Sequence, residues 1–313
     1  GHWNPDPDCM GAALGLALAL ADLDKDVTVF RYPDPPVGLT TLPAWEDTVP
    51  AEEAAEMLAE ETPDLVVLVD CHRTDRTGFL QETLDRLEPI VCIDHHLVSG
   101  RRAPVPGWLE DRAESTCTLV YRVIEELTGH DPDAIDETIA TNLFAGLAGD
   151  TGGFRFDNVR PATFRLAADL AERGVDTAAV QENTLHRRRR EGLSLLQRAL
   201  AATTITDDGR VALMRVDQAM LAETGASLAE TEGYVNMLTA VEGVEYGALM
   251  KELEPGVWCA SLRTTRGDVQ AVAAAFGGGG HARAAGCTLE GDAETVAAAL
   301  IDALGRADRT ERE

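Results

Sequence analysis

Apolar runs alternate with amphipathic segments along the first third of the chain. Continuous apolar residues at 65–69 and 90–93 predict buried strands, and 27–30 predicts a further short strand. Helical spacing predicts helices at 9–20, 51–61 and 77–87. Strands that alternate with helices in this way indicate βαβ units and a parallel sheet.

The pattern becomes helical after residue 94 and mixed again after about residue 204. In the middle of the chain, helices are predicted at 114–128, 161–173 and 176–186. A further helix is predicted between the first two; Asp131 or Asp133 caps it, and it runs to about residue 148. Later strands are predicted at 211–216, 246–250, 258–262 and 286–290, and later helices at 268–276 and 293–305. We therefore predict an α/β protein with a parallel-sheet domain (1–186), a connecting helix (187–204) and a smaller α/β domain (205–313).

Length and composition are typical of a globular cytoplasmic protein. With 313 residues, 45% of them hydrophobic, the chain can form two domains. No apolar run approaches a membrane span, and the first residues lack the features of a signal peptide. The six cysteines include no CxxC pair, which favours reduced thiols. The chain starts without Met and directly on a motif, which predicts that a strand or a whole domain precedes His2.

The chain is strongly acidic, with a formal net charge of −27 and only two lysines, Lys25 and Lys251. Such a charge repels nucleic acid unless it is locally reversed. The depletion of lysine favours a surface adapted to high salt, where screening removes the penalty, over an ordinary acidic protein. The four arginines at 187–190 are either a nucleic-acid patch or, as is more usual for short charge runs, a solvated face.

Acidic and histidine residues follow the predicted strands and open the chain. They are His2, Asp6, Asp8, Asp70, Asp94, His95, His96 and Asp150. Ligands of open parallel sheets bind beyond the carboxyl ends of the strands, so these residues can meet at one edge. A mixed histidine and carboxylate set suits Mn²⁺, Fe²⁺, Co²⁺ or Zn²⁺, and two such ions activate water for phosphate ester cleavage. Each residue taken alone also fits a helix cap or a buried core histidine.

Four short segments resemble, in order, the motifs of the DHH phosphoesterase superfamily. They are 2–8 (motif I), 69–71 (motif II), 94–96 (the namesake motif III) and 149–155 (motif IV). The glycine-rich segment 277–281 resembles that of the associated C-terminal domain, DHHA1. The resemblance covers essentially the whole chain. Within the superfamily the chain looks most like the nano-RNase and pAp phosphatase group, which is related to RecJ exonucleases and cyclic-di-AMP phosphodiesterases.

The resemblance implies two divalent ions, with Mn²⁺ as the usual activating ion and Mg²⁺ or Co²⁺ as alternatives. It implies that His2, Asp6 and Asp70 hold the first ion and that Asp8, Asp70, His95 and Asp150 hold the second. Asp70 would then bridge both ions. Asp94 is expected to orient His95, and His96 to contact the scissile phosphate or assist the leaving group. Cys9, where relatives often carry a small residue, is not expected to touch the ligand set.

In the second domain the resemblance points to a substrate-binding loop. Gly278, Gly279 and Gly280 are expected to expose successive N–H groups to an anion. His281 and Arg263 would add charged donors to a second phosphate or a nucleotide. A glycine run by itself is equally typical of a flexible loop.

Together these features predict a Mn²⁺-dependent phosphodiesterase or phosphatase. Its expected substrates are short oligoribonucleotides, 3′-phosphoadenosine 5′-phosphate (pAp) and cyclic or linear dinucleotides, held at both ends in a cleft. The alternatives are a RecJ-like single-strand exonuclease, a family II inorganic pyrophosphatase and a nucleotide-sensing regulatory module of a longer chain. The helical middle region is a candidate homodimer interface.

Overall fold

The computed structural model describes residues 1–98 and 103–307 and divides them into two compact units. The first unit comprises 1–98 and 103–187, and the second comprises 188–307. The predicted α/β class, with a parallel sheet in the N-terminal part and a second α/β domain, is confirmed. Across the described residues, every helix is too short or too polar to cross a bilayer.

The first unit combines a parallel sheet with a helical layer. Its strands are β1 (Phe30–Arg31), β2 (Val49–Pro50), β3 (Val66–Val69), β4 (Ile90–Asp94) and β5 (Gly107–Leu109). Its α-helices are α1 (Pro7–Asp22), α2 (Ala51–Glu60), α3 (Gln81–Leu84), α4 (Thr116–Leu127), α5 (Glu137–Asp150), α6 (Pro161–Glu172) and α7 (Thr177–Gln181).

The sheet of the first unit brings two acids to one edge. Strands β3, β4 and β5 pair in parallel in that order, and β1 pairs in parallel with β2. Val69 lies opposite Ile93, and the backbone N–H of Asp70 donates to the carbonyl of Ile93 at 3.0 Å. Since Asp94 ends β4, Asp70 and Asp94 lie side by side at the carboxyl ends of neighbouring strands.

Helix α1 is central to the helical layer, where it packs against α4 and α5. Leu14, Leu119 and Leu143 belong to the buried core that these helices share. Gly146 of α5 faces the start of α1, and a Cβ there would lie 2.6 Å from Asp8 Oδ1. The absence of a side chain at this position therefore allows α5 to approach the acidic end of α1 closely.

Four predicted elements differ from the structure in the first unit. The predicted helix 77–87 is wrong except for α3, because Gly78 adopts a left-handed φ of +58° that interrupts it. Of the predicted strand 27–30, only Phe30 lies in a strand, as the first residue of β1. Asp136, rather than Asp131 or Asp133, caps α5, accepting from Ile139 N at 2.8 Å. The predicted helix 176–186 is α7 followed by a π-helical turn at Glu182–His186.

The second unit has one mixed sheet. Its strands are β6 (Thr204–Ile205), β7 (Val211–Val216), β8 (Tyr246–Glu254), β9 (Val257–Thr264), β10 (Gly279–Gly280) and β11 (Ala284–Glu290). Its α-helices are α8 (Arg190–Ala201), α9 (Gln218–Thr224), α10 (Tyr234–Thr239), α11 (Val269–Ala275) and α12 (Ala293–Arg306). The strand order is β10-β11-β9-β8-β7-β6, with β7 and β8 parallel and the other pairs antiparallel.

Both faces of this mixed sheet are covered. Leu262 and Leu300 lie in the core on one side. The core on the other side contains Leu249 together with Leu195 and Ala199 of α8. Helix α8 lies within the segment predicted as a connecting helix. The second unit therefore includes α8 as part of its own packing.

Candidate metal centre

Asp70 occupies a strained position at the end of β3. Its φ is +58°, a left-handed conformation that is uncommon for a residue with a side chain. Its two carboxylate oxygens face different groups: Oδ2 lies 3.1 Å from His2 Nε2, and Oδ1 lies 3.6 Å from His95 Nε2. Thr116 Oγ1 also donates to Oδ1 at 2.9 Å. The buried Asp70 carboxylate thus lies between two clusters of candidate ligands.

The first cluster joins the opening segment to Asp70. His2 Nε2 lies 3.8 Å from Asp6 Oδ2. The other oxygen of Asp6, Oδ1, caps α1 by accepting from the N–H groups of Asp8 (3.0 Å) and Cys9 (2.9 Å). The cap fixes the side chain, so Oδ2 remains directed toward His2.

Cys9 also belongs to this first cluster. Its sulfur, one nitrogen of His2 and one oxygen of Asp70 lie within 4.8 Å of one another, and all three residues are buried. The expectation that Cys9 does not touch the ligand set is therefore wrong. Because α1 begins at Pro7, Cys9 lies in its first turn, and this places the thiol under the opening segment, where a Cβ on Gly1 would lie 2.1 Å from Sγ.

The second cluster is formed around His95. Its Nε2 lies 2.9 Å from Asp150 Oδ2 and 3.7 Å from Asp8 Oδ2. Asp150 is the last residue of α5, and Asp8 is in the first turn of α1. Asp8 is held by the N-terminus of α4, where it accepts from the N–H groups of Thr116 (2.6 Å) and Cys117 (2.9 Å). The structure thus brings together all of the proposed ligands, from four separate stretches of the chain.

Asp94 has a different partner from the one that the resemblance implies. Its Oδ1 accepts from His96 Nδ1 at 2.7 Å and from His96 N at 3.0 Å, and its Oδ2 lies 2.5 Å from His72 Nδ1. The ring of His95 lies instead with Nδ1 3.2 Å from the carbonyl of Ala113. The expectation that Asp94 orients His95 is therefore wrong, because the carboxylate contacts the rings of His72 and His96 instead.

His72 is a site residue that the sequence analysis missed. It is buried two residues after Asp70, and within the described ranges its Nε2 has no hydrogen-bond partner. The signal that identified Asp70, namely a polar residue just after a buried strand, applies to His72 as well.

The charges of the site favour bound cations. Burial and the charge of Asp70 raise the pKa of Asp6 to about 6, against the opposing effect of His2. Burial and the charges of Asp150 and Asp70 raise the pKa of Asp8 well above its usual range. Burial acts on Asp70 in the same direction, but the charges and hydrogen bonds of the neighbouring histidines outweigh it and hold the pKa of Asp70 far below its usual range. Buried carboxylates that repel one another are stabilised by divalent ions, so this donor set fits a two-metal centre.

The candidate binding residues of the second unit surround the turn between β10 and β11. The expectation of three successive exposed N–H groups is wrong for Gly278, whose N–H donates to the carbonyl of Ala273 at 2.8 Å. Gly279 and Gly280 form β10 and pair with β11. Arg263 of β9 and His281 both lie next to Ala284, the first as its cross-strand partner and the second through a backbone hydrogen bond of 2.8 Å.

Comparison with known proteins gives two family matches. Residues 1–147 match the model of the DHH family, N-terminal domain, and residues 208–307 match the DHHA1 domain.

The chain matches similar proteins over different shares of their length. The chain is 28% identical over 291 residues to the bifunctional oligoribonuclease and PAP phosphatase NrnA of Thermus thermophilus, covering 93% of this chain and 83% of that protein. It is 28% identical over 303 residues to the cyclic-di-AMP phosphodiesterase GdpP of Geobacillus thermodenitrificans, covering 90% of this chain but 43% of that protein. A solved exopolyphosphatase-related protein of Bacteroides fragilis superposes with a TM-score of 0.86 at 23% identity, covering 100% of this chain and 92% of that one.

Proposed function

Because the chain belongs to the DHH phosphoesterase superfamily, we propose that it hydrolyses phosphate esters of short nucleotides. The proposed substrates are short oligoribonucleotides, pAp and cyclic or linear dinucleotides. Support comes from the similarity to NrnA over most of both chains and from the similarity to GdpP over most of this chain.

The observation that carries the proposal is the position of Asp70. One oxygen faces His2 and the other faces His95, so a single carboxylate serves two clusters. His2, Asp6 and Asp70 would hold one ion, and Asp8, Asp70, His95 and Asp150 would hold the other. Mn²⁺ is the proposed ion because the family resemblance implies it as the usual activating ion, and the mixture of imidazole nitrogen and carboxylate oxygen suits it. When bound, such a pair of ions would activate a water molecule at neutral pH and neutralise charge on the phosphate.

The protein's own contribution is to hold these groups in place before the substrate arrives. Hydrogen bonds from α4 fix Asp8, and the α1 cap fixes Asp6. His96 Nδ1 donates to Asp94 Oδ1 at 2.7 Å, and this contact orients the ring that we propose contacts the phosphate or the leaving group. Fixed donors of this kind stabilise developing charge without reorganisation during the reaction.

In the second unit, we propose that Arg263 and His281 bind a second phosphate or another part of the nucleotide. Both lie next to Ala284 at one end of the sheet, so two basic side chains are attached to neighbouring backbone positions. Gly279 and Gly280 would allow close approach of the substrate to this backbone. Gly278 would contribute through its small size, since its N–H is already bonded.

The test is an activity panel on the purified protein with Mn²⁺. The substrates are pApA, pAp and cyclic di-AMP, with inorganic pyrophosphate and a long single-stranded DNA as contrasts, each at low and high salt. We expect turnover of at least one of the three nucleotides and little cleavage of the contrasts. If all three nucleotides stay intact under every condition, the proposal is wrong.

The contrast substrates decide between the remaining candidates. Progressive cleavage of the long DNA would indicate a RecJ-like exonuclease. The net charge of −27 argues against this candidate, because it repels nucleic acid. Nucleotide binding without turnover would favour a sensing module.

A further inference from the structure

Trp3 is an exposed aromatic residue next in sequence to a proposed metal ligand, His2. Its neighbour His2 is buried at 5% exposure, whereas Trp3 is 54% exposed. Consecutive Cα atoms lie about 3.8 Å apart, so the indole starts within one residue of a proposed metal ligand.

The position of Trp3 is fixed by the segment that follows β3. Its backbone N–H donates to the carbonyl of Arg76 at 2.9 Å. Its side chain packs on Gly78, where a Cβ would lie 2.9 Å from Cβ and 3.4 Å from Cγ of Trp3. Gly78 has a φ of +58°, so both its conformation and the space around it favour glycine. The indole is thus supported on one side and open to solvent on the other.

A supported aromatic ring suits a planar, uncharged ligand. A Trp side chain has only two rotatable bonds, and packing on Gly78 restricts them before binding, so little entropy is lost when a ligand stacks on it. The surrounding carboxylates disfavour further anions away from the metals. Every nucleobase has a π face, so stacking binds bases without selecting among them.

We propose that Trp3 is the platform on which the nucleobase next to the scissile phosphate stacks, so that the site selects nucleotides over inorganic polyphosphates. The inference rests on the proposed function, whose substrate class it narrows. It also gives the opening segment two functions, metal binding through His2 and base binding through Trp3.

The test compares Trp3→Ala and Trp3→Phe on matched substrates. The substrates are pApA and two abasic analogues of it. In each analogue, one of the two adenines is replaced by hydrogen. We expect Trp3→Ala to raise KM for pApA roughly 5- to 150-fold, with kcat within about twofold, and Trp3→Phe to retain most of the affinity. KM for one of the two abasic analogues should be the same in the wild type and in Trp3→Ala. An unchanged KM for pApA in Trp3→Ala would overturn the inference and leave the proposed function intact.

A binding measurement keeps the test independent of turnover. In the metal-loaded protein, a phosphorothioate dinucleotide that resists hydrolysis should quench tryptophan fluorescence, and Trp3→Phe should abolish most of that quenching. Equal quenching in both proteins would overturn the inference even if no substrate is cleaved. Phe164→Ala, which removes a ring that is 56% exposed on α6, is the matched control and should change neither KM nor quenching.

Discussion

His72 Nδ1 lies 2.5 Å from Asp94 Oδ2, in a buried contact at the carboxyl ends of the neighbouring strands β3 and β4. Burial would raise the pKa of Asp94, but hydrogen bonds from His72 and His96 outweigh it and hold the pKa well below its usual range. The carboxylate is therefore ionised and accepts from both rings. His72 acts on the site through Asp94, which in turn sets the orientation of His96.

Replacing His72 by Phe should lower kcat about 10- to 100-fold with a smaller effect on KM, because the orientation of His96 is lost while the metal ligands remain. His72→Asn, which keeps a donor, should recover part of the rate. Steady-state kinetics and metal stoichiometry check this. His130→Ala, at an exposed histidine paired with Glu126, is the control. If both His72 variants match the wild type, His72 has no positioning role.

Asp70→Ala should reduce turnover by about three orders of magnitude or more, because both clusters lose the carboxylate that they share. Metal stoichiometry, measured by equilibrium dialysis, should fall as well. Asp64→Ala removes an exposed acid just before β3 and should leave both quantities unchanged. A variant at Asp70 that binds two ions and turns over normally would contradict the bridging assignment.

Cys9→Ser should weaken binding of Cd²⁺ and Zn²⁺ by roughly tenfold or more while changing Mn²⁺ binding little. A thiolate is a soft ligand, and the sulfur lies within 4.8 Å of ligand atoms of His2 and Asp70. Competition titrations measure the affinities, and a Co²⁺ charge-transfer band that disappears in the variant would report sulfur ligation directly. Cys259→Ser in the second unit serves as the control. Unchanged soft-metal affinity would show that the thiol only packs beside the site.

Removing divalent metal with a chelator should lower the thermal unfolding midpoint of the wild type. Mn²⁺ at about 100 times its dissociation constant should restore about 2.7 kcal/mol per site, since it binds the folded state alone. The physical reason is the mutual repulsion of Asp6, Asp8 and Asp70 in a buried site. Calorimetry with and without chelator checks this, and Asp70→Ala should show a much smaller difference. An equal midpoint in both states would argue against a metal centre.

The free energy of unfolding should increase as KCl rises from about 0.1 to 2 M. With 54 acidic residues against 27 lysines and arginines, screening reduces repulsion in the folded state. Denaturation by urea at each KCl concentration measures the effect, and an uncharged osmolyte at matched osmolality is the control. Stability that is independent of salt would favour the ordinary acidic protein.

Several features followed from the sequence because they depend on local pattern. Apolar runs predicted β3 and β4, and parallel pairing then required Asp70 and Asp94 to share an edge. The Ala/Leu-rich segment predicted α1, whose start carries Asp8. The motif resemblance identified the acids and histidines that the structure brings together.

Other features depended on packing between distant segments. No local pattern indicates that Asp70 adopts a φ of +58° and divides its oxygens between two clusters. Likewise, the contact of Asp94 with His72 depends on how two strand ends are placed relative to each other. The thiol of Cys9, in the first turn of α1, comes near His2 only because the opening segment packs beside that turn.

The sequence by itself thus determined which residues can form the site and at which edge of the sheet they lie, because strand periodicity and parallel pairing are properties of the chain. Only the tertiary structure decided which side chain serves which partner. At the end of a strand, side-chain direction depends on a few backbone angles and on neighbours such as Gly146 and Gly78, which come from other elements. Those contacts exist only after the elements have packed.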